Sequence, residues 1–206
     1  TFTVTNSGAV AATAMADATT MAAPFVFKGS TYPGTGGTCG ASLGSGGNCT
    51  IVVSFEPTIA GLQSDTIEIN YHTGVILTST TRDVQGTGAA PASITISESD
   101  PYDFGTLATG ATDTHTFSVS NTGGVVAASL SEVGLSAPYR FLGGSYPGTG
   151  GTCSTSLSAG GSCNLVIEYA PIATGTQTDT ITMSYFDGVA TQNTNRDVTA
   201  NAVAPA

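Results

Sequence analysis

The sequence predicts an all-β fold made of two tandem antiparallel β-sandwich domains, and three observations lead to this prediction. The first is that short runs of alternating apolar and polar residues lie between turn-forming residues, as expected of strands with one buried face. The second is that the polar residues are mainly Thr, Ser, Asn and Gly, which suit strand surfaces and turns and are unfavourable in helix interiors. The sequence therefore predicts strands and turns, with no helix.

The third observation is a long internal repeat. The octapeptide YPGTGGTC begins at Tyr32 and again at Tyr146, so its copies lie 146 − 32 = 114 residues apart. Near the start of the chain, residues 1–8 match residues 116–123 with an offset of 116 − 1 = 115. A repeat of this length is a whole domain, because the units of solenoid proteins have only about 20 to 50 residues. We assign the first domain to residues 1–88 and the second to residues 89–206.

The second copy contains about seven runs with the alternation of strands, which is the number expected of an immunoglobulin-like sandwich. The predicted strands span residues 93–97, 115–121, 127–133, 139–143, 164–169, 179–185 and 196–201. Asp187-Gly188 predicts a tight hairpin between the last two strands. Both copies are thus expected to be immunoglobulin-like.

The first copy begins at the equivalent of Thr116, so the counterpart of the first strand of the second copy is missing from it. The simpler interpretation is that residues upstream of Thr1 supply this strand. The alternative is that another chain donates it, so that strands pair at the incomplete first domain. Both interpretations predict an unpaired edge beside the strand that contains Phe2 and Val4.

The four cysteines form two pairs of equal spacing, one in each copy. The simplest connectivity is local and joins Cys39 to Cys49 and Cys153 to Cys163. Neither a zinc site nor a redox dithiol is predicted, because no CxxC motif occurs and no helix start is predicted near the thiols. Structural disulfides indicate an oxidising compartment, which means an extracellular, cell-surface or periplasmic location.

The cysteines also explain the repeated octapeptide. Its Pro and Gly residues form a turn, and its Cys joins that turn to the next core strand. A phosphate-binding loop is the alternative, but such a loop is followed by a helix and usually contains a Lys, and neither is present. We therefore interpret the loop as a structural element and predict no cofactor.

The charge of the chain excludes several kinds of partner. The formal net charge is −10 with only four basic residues, so a polyanion would be repelled. Nucleic acid and anionic membrane surfaces are therefore not expected as partners. No apolar run approaches the roughly 18 to 20 residues that span a bilayer, so no membrane insertion is predicted for this segment.

Several motifs together resemble the bacterial choice-of-anchor D repeat. They are the N-x-G after the Thr/Phe/Val strand, the YPGTGGTC loop, the G-x-C before an apolar strand, the F/Y-x-P with a later Gly, and the closing R-D-V. That repeat is similar to the immunoglobulin-like ASPM/SPD-2/Hydin group and, more distantly, to major sperm protein domains. The resemblance implies secreted or surface proteins of bacteria in which such domains stand in tandem as spacers or interaction modules. It carries over no catalytic residue.

Two further groups of side chains are candidate sites. Asp65 with Arg82, and Asp179 with Arg196, are predicted to form structural ion pairs across the last hairpin of each domain. The acidic segment after the connector contains the candidate calcium ligands Glu98, Asp100 and Asp103, with a solvated turn as the alternative.

These observations predict a protein that is not an enzyme, because no motif assembles a nucleophile, an acid–base pair or a metal. His72 and His115 lie at non-equivalent places in the repeat and are interpreted as a turn residue and a strand-border residue. The expected function is that of a structural spacer in a secreted or surface-anchored bacterial protein. The alternative is an adhesin module that binds a protein or glycan through loops 32–48 and 146–162.

Overall fold

The structure is a computed structural model that describes residues 1–18 and 21–206, and the regular elements in these ranges are all β-strands. The all-β fold class is thereby confirmed. The chain divides into two compact units, Thr1–Ala89 and Ala90–Ala206, which we call unit 1 and unit 2. This boundary lies one residue beyond the predicted one.

Unit 2 is a sandwich of two sheets. Its strands are β9 (Ile94–Ile96), β10 (Tyr102–Ala108), β11 (Asp113–Asn121), β12 (Ala127–Glu132), β13 (Tyr139–Phe141), β14 (Ser156–Leu157), β15 (Ser162–Tyr169), β16 (Gly175–Phe186) and β17 (Thr191–Val203). One sheet has the order β10-β17-β16-β12-β14 and the other has the order β13-β15-β11-β9. Alternate residues of the strands meet between the sheets, where Phe117, Val119, Leu165 and Ile181 are fully buried.

Unit 1 has the corresponding arrangement with fewer strands. They are β1 (Phe2–Thr5), β2 (Ala12–Asp17), β3 (Phe25–Phe27), β4 (Ser42–Leu43), β5 (Asn48–Ile51), β6 (Val53–Phe55), β7 (Gly61–His72) and β8 (Leu77–Gly88). A four-stranded sheet has the order β4-β2-β7-β8, and the pairs β1-β5 and β3-β6 face it. The strands β5 and β6 together correspond to β15, with an interruption at Val52.

The two units differ at one edge of each sheet. In unit 2, β11 pairs with both β15 and β9, and β17 pairs with both β16 and β10. In the described part of unit 1, β1 pairs only with β5 and β8 only with β7. Phe2 and Val4 are accordingly half-buried, whereas their counterparts Phe117 and Val119 are completely buried.

All seven strands predicted for the second copy are present, and two further strands were not predicted. One is the two-residue strand β14, and the other is β10, which begins at the end of the acidic segment that was interpreted as a calcium site or a solvated turn. A register shift between Asp103 and Thr106 interrupts the alternation of β10, and Gly105 within it has a φ of 80°. This bulge hides the period-two pattern by which a strand is recognised.

The predicted hairpin is present between β16 and β17. Phe186 pairs with Thr191, and the intervening turn contains Asp187 and Gly188, the latter with a φ of 100°. Among the described residues, no helix has the length and apolar character needed to cross a membrane.

Candidate functional site

The repeated glycine-rich loop is joined by a disulfide to β5 in unit 1 and to β15 in unit 2. Cys39 is bonded to Cys49 and Cys153 to Cys163, each with a Cα–Cα separation of 4.8 Å. All four cysteines are buried, and none of them is free. The predicted local connectivity is confirmed, and the two disulfides indicate an oxidising extracellular or periplasmic environment.

The N–H groups of the loop donate hydrogen bonds within their own unit. In unit 1, Thr35 N donates to Lys28 O at 2.6 Å and Gly37 N to Gly34 O at 2.7 Å, while Thr38 N donates to Thr50 O at 2.9 Å. In unit 2 the equivalent donors Thr149, Gly151 and Thr152 bond in the same way at 2.7, 2.8 and 2.9 Å. N–H groups that already have carbonyl partners cannot also cradle a phosphate.

One glycine of the loop is required by the close approach of the next strand. Gly34 has a φ of 88°, and a Cβ at this position would overlap the carbonyl oxygen of Val52. Gly148 has a φ of 92° and stands in the same relation to Val166. The glycine thus lets the loop lie directly against the backbone of the following strand.

The predicted ion pairs across the last hairpin are wrong in both units. Asp65 Oδ2 accepts a hydrogen bond from Ala22 N at 2.9 Å, and Asp179 Oδ2 accepts one from Ser136 N at 2.7 Å. Asp65 lies opposite Val84, so Arg82 is only a diagonal neighbour. Because diagonal Cβ atoms lie roughly 7–8 Å apart, the short Asp side chain reaches nearer backbone donors instead.

Arg196 has different partners from the one predicted. Its Nη2 donates to the carbonyl oxygen of Ile96 at 2.7 Å, and its Nη1 lies 3.7 Å from Asp100 Oδ1. Asp100 also accepts a hydrogen bond from Asp197 N at 3.0 Å. Arg196 and Asp197, the first two residues of the closing R-D-V motif, therefore hold the segment between β9 and β10.

The candidate calcium ligands do not converge. Asp100 contacts Arg196 and Asp197 N, Asp103 Oδ1 accepts from Gly105 N at 2.7 Å, and Glu98 Oε1 lies 3.6 Å from His115 Nε2. Within the described ranges, no group of three or more His, Cys, Asp or Glu side chains is arranged to hold a metal.

His115 belongs to an aromatic cluster that the sequence did not predict. Its ring stacks on Tyr102 with centroids 4.0 Å apart, and its Nδ1 lies 2.8 Å from the Tyr102 hydroxyl. Burial, with a smaller effect of the Asp113, Glu98 and Asp103 carboxylates, raises the pKa of Tyr102. Tyr102 also contacts Phe104 and Phe117 edge-on, so the cluster fastens β10 to the core.

Asp187 organises the hairpin between β16 and β17. Its Oδ1 accepts hydrogen bonds from Val189 N and Ala190 N, both at 2.7 Å, and its Oδ2 accepts one from Gln192 Nε2 at 3.0 Å. The backbone N–H groups of Ala190 and Val189 lower the pKa of the Asp187 carboxyl. His72, the predicted turn residue of unit 1, accepts a hydrogen bond from Gly74 N at 3.1 Å through Nδ1.

The last strand of unit 2, β17, pairs with β10 near the start of the same unit. The two strands are parallel, with Tyr102 opposite Val198 and Ala108 opposite Val203. β9 and β10 are the first strands of the unit and β17 is the last. The chain therefore enters this strand pair at one end and leaves it at the other.

No family model and no curated protein matches the chain. Among solved structures, a protein of unknown function from Porphyromonas gingivalis W83 is 13% identical over 96% of this chain and 87% of that one, with a TM-score of 0.40. The ASH/PapD-like domain 7 of human CEP192 is 15% identical over 56% of this chain and 89% of that one, with a TM-score of 0.39. The VesB protease of Vibrio cholerae is 14% identical over 54% of this chain and 32% of the protease, with a TM-score of 0.40.

Proposed function

We propose that this chain is a non-catalytic, force-resisting segment of a secreted or surface-anchored bacterial protein, in which it acts as a spacer. The observation that carries the proposal is the parallel pairing of β10 with β17. Tension applied to the two ends of unit 2 is borne first by β9, which pairs with β11 over three residues. Once β9 has detached, the tension pulls on the amino end of β10 and the carboxyl end of β17. Because the strands are parallel, this tension slides one strand along the other. All the hydrogen bonds between them are therefore loaded at the same time.

The disulfide loops add to this support. In each unit the glycine-rich loop is fastened at its end to β5 or β15 by a covalent bond between buried cysteines. Its N–H groups bond within the unit, in the same pattern twice. A loop held in this way resists extension and proteolysis, which suits a spacer outside the cell.

Stretching the full chain by its two ends tests the proposal. We expect unit 2 to unfold in one step at a high force, with the residues enclosed by Cys153–Cys163 released only in the presence of a reductant. Extension of unit 2 at low force without a discrete step would contradict a force-resisting role.

A second candidate function, binding of a protein or glycan, is favoured by the hairpin tip of unit 1. Val75, Ile76 and Leu77 are consecutive and 84%, 60% and 65% exposed, and Val10 beside them is 59% exposed. Contiguous exposed apolar side chains are typical of contact surfaces. This candidate differs from the loop-based adhesin of the sequence prediction, because the disulfide loops use their N–H groups internally.

A glycan array and a protein-binding screen with the intact chain distinguish the two functions. A spacer gives no saturable binding. Saturable binding that is lost in a V75S/I76S/L77S variant, and kept in a matched V189S variant of the unit 2 tip, would assign a binding function to the hairpin of unit 1.

A further inference from the structure

The edge of unit 1 along β1 and β8 has the features of a strand-binding surface. The surface is lined by half-buried Phe2 and Val4 on β1 and by Thr80, Thr81 and Arg82 on β8. Ile67 and Ile69 form its floor. Within residues 1–18 and 21–89, each bordering strand has an edge without a partner strand, since β1 pairs only with β5 and β8 only with β7.

Unit 2 shows which chemistry this surface accepts, because the repeat presents the same residues there. Phe117, Val119 and Arg196 correspond to Phe2, Val4 and Arg82, and in unit 2 they are covered by β9 and the segment after it. Ile94 and Ile96 of β9 are each 4% exposed. The covering strand is thus extended, with apolar residues two positions apart.

The polar contacts of this covering segment have their counterparts in unit 1. In unit 2, Asn121 Oδ1 accepts from Ser93 N at 3.1 Å and Tyr185 Oη accepts from Ile94 N at 3.3 Å. The equivalent acceptors of unit 1 are Asn6 Oδ1, which accepts from Gly8 N at 3.0 Å, and the half-buried Tyr71. Unit 1 therefore keeps the acceptors that align the backbone of an incoming strand.

The surface also carries a positive charge, that of Arg82. Arg82 is one of only four basic residues in a chain of net charge −10, and it is exposed. Among the described residues it forms no ion pair, whereas Arg196 binds the carbonyl of Ile96 and lies 3.7 Å from Asp100. An acidic side chain four residues after the second apolar residue would reach Arg82 in the same way.

We propose that the β1–β8 surface of unit 1 binds an extended polypeptide strand that is not part of residues 1–206. This strand carries two apolar residues two positions apart and a carboxylate four residues beyond the second. It pairs antiparallel to β1, as β9 pairs with β11. The proposal goes beyond the spacer function, which concerns the β10–β17 pair of unit 2.

A synthetic peptide with the sequence of residues 90–111, added to the intact chain, tests this proposal. We expect saturable binding that slows amide hydrogen exchange at Thr3, whose counterpart Ser118 donates to Ser97 Oγ at 2.9 Å. The substitution Arg82→Ala should weaken binding about tenfold. Lys28→Ala is the matched control and should leave the affinity unchanged, because Lys28 is an exposed basic residue of unit 1 that does not line this surface. A peptide with I94S and I96S should bind at least about tenfold more weakly.

A fusion provides the second measurement, because a covalent link raises the effective concentration of a weakly binding strand. Residues 90–115 are placed directly before Thr1, which reproduces the connectivity of unit 2. We expect a higher Tm for unit 1, and no increase in a matched fusion with I94S and I96S. Stabilisation in the fusion alone supports the proposal with a weak intrinsic affinity. Failure of both measurements, equal effects of the two sequences, or a dimer of the chain that buries this surface would overturn it.

Discussion

Arg196 donates a hydrogen bond of 2.7 Å to the carbonyl oxygen of Ile96, a residue one hundred positions earlier in the chain. The same guanidinium group lies 3.7 Å from Asp100, so it joins the first strand of unit 2 to the last. Its side chain is only 15% exposed, which strengthens both contacts relative to pairs at the surface. In unit 1 the equivalent Arg82 is exposed.

Substitution of Arg196 should therefore destabilise the protein more than substitution of Arg82. We expect Arg196→Ala to lower the free energy of unfolding of unit 2 by about 1.5–3 kcal/mol, the range for hydrogen bonds to charged groups. Arg82→Ala should change the stability of unit 1 by less than about 0.5 kcal/mol, as is usual at exposed positions. Urea unfolding of the two variants measures both quantities, and equal losses would contradict the different roles assigned here.

Two glycines of the disulfide loop should differ sharply in their tolerance of alanine. Gly34 and Gly36 have nearly the same φ, 88° and 89°, so the backbone strain of an Ala is similar at both, about 1–2 kcal/mol. A Cβ on Gly34 would also overlap the carbonyl of Val52, whereas a Cβ on Gly36 meets nothing within 4 Å. We expect Gly34→Ala to cost at least about 2 kcal/mol more than Gly36→Ala in thermal unfolding. A smaller difference would show that the loop can move away from the strand.

Removal of one disulfide should weaken its own unit only. Each disulfide joins cysteines ten residues apart, and the chain-entropy relation gives about 2–3 kcal/mol for a loop of this size. The double substitution C39S/C49S should lower the stability of unit 1 by this amount, and C153S/C163S that of unit 2. Hydrogen exchange resolves the two units. Unchanged stability in both variants would contradict this prediction. It would show that hydrogen bonds alone already hold the loops in place.

The Asp187 turn should make unit 2 sensitive to acid. Because its folded pKa is lowered, the carboxylate contributes stability that is fully present above the unfolded pKa of about 4 and is lost as the pH falls through the folded value. Asp187→Ala should therefore lower the Tm at pH 7, and the difference from the unsubstituted protein should shrink below pH 4. The control is Thr73→Ala in unit 1, where the Thr73 hydroxyl accepts from Ile76 N at 3.2 Å, and its effect should not depend on pH. A constant difference for Asp187→Ala across this range would contradict the assignment.

The features that were predicted correctly from the sequence are those that repeat. The duplication of YPGTGGTC and of the cysteine spacing identified the loop and both disulfides, because a local crosslink depends on neighbouring residues alone. The strands β11 and β16 were recognised because apolar and polar residues alternate along them, and β15 because it is a short apolar run ahead of a turn.

The features that were missed depend on contacts between distant segments. The strand β10 contains Asp103 and a bulge at Gly105, and only its pairing with β17 makes it a strand. Arg196 and Asp179 occur together in the repeat, which suggested an ion pair, but their nearest partners are Ile96 and Ser136. These partners are distant in the sequence, so the residues around Arg196 and Asp179 do not reveal them. The spacing of the aromatic residues Tyr102 and Phe104, two positions apart and ahead of the bulge, was the signal that could have revealed β10.

The dependence of unfolding force on pulling direction is the sharpest test of whether the β10–β17 pair resists force. In one geometry unit 2 is pulled through the two ends of the chain, which shears β10 against β17. In the other it is pulled between the carboxyl end of the chain and a handle at Ala111, an exposed residue just after β10, which peels the same pair apart from one end. We expect a force several times higher in the shearing geometry, since the same hydrogen bonds then break together. Equal forces in the two directions would contradict the claim that the parallel β10–β17 pair makes this protein a force-resisting spacer.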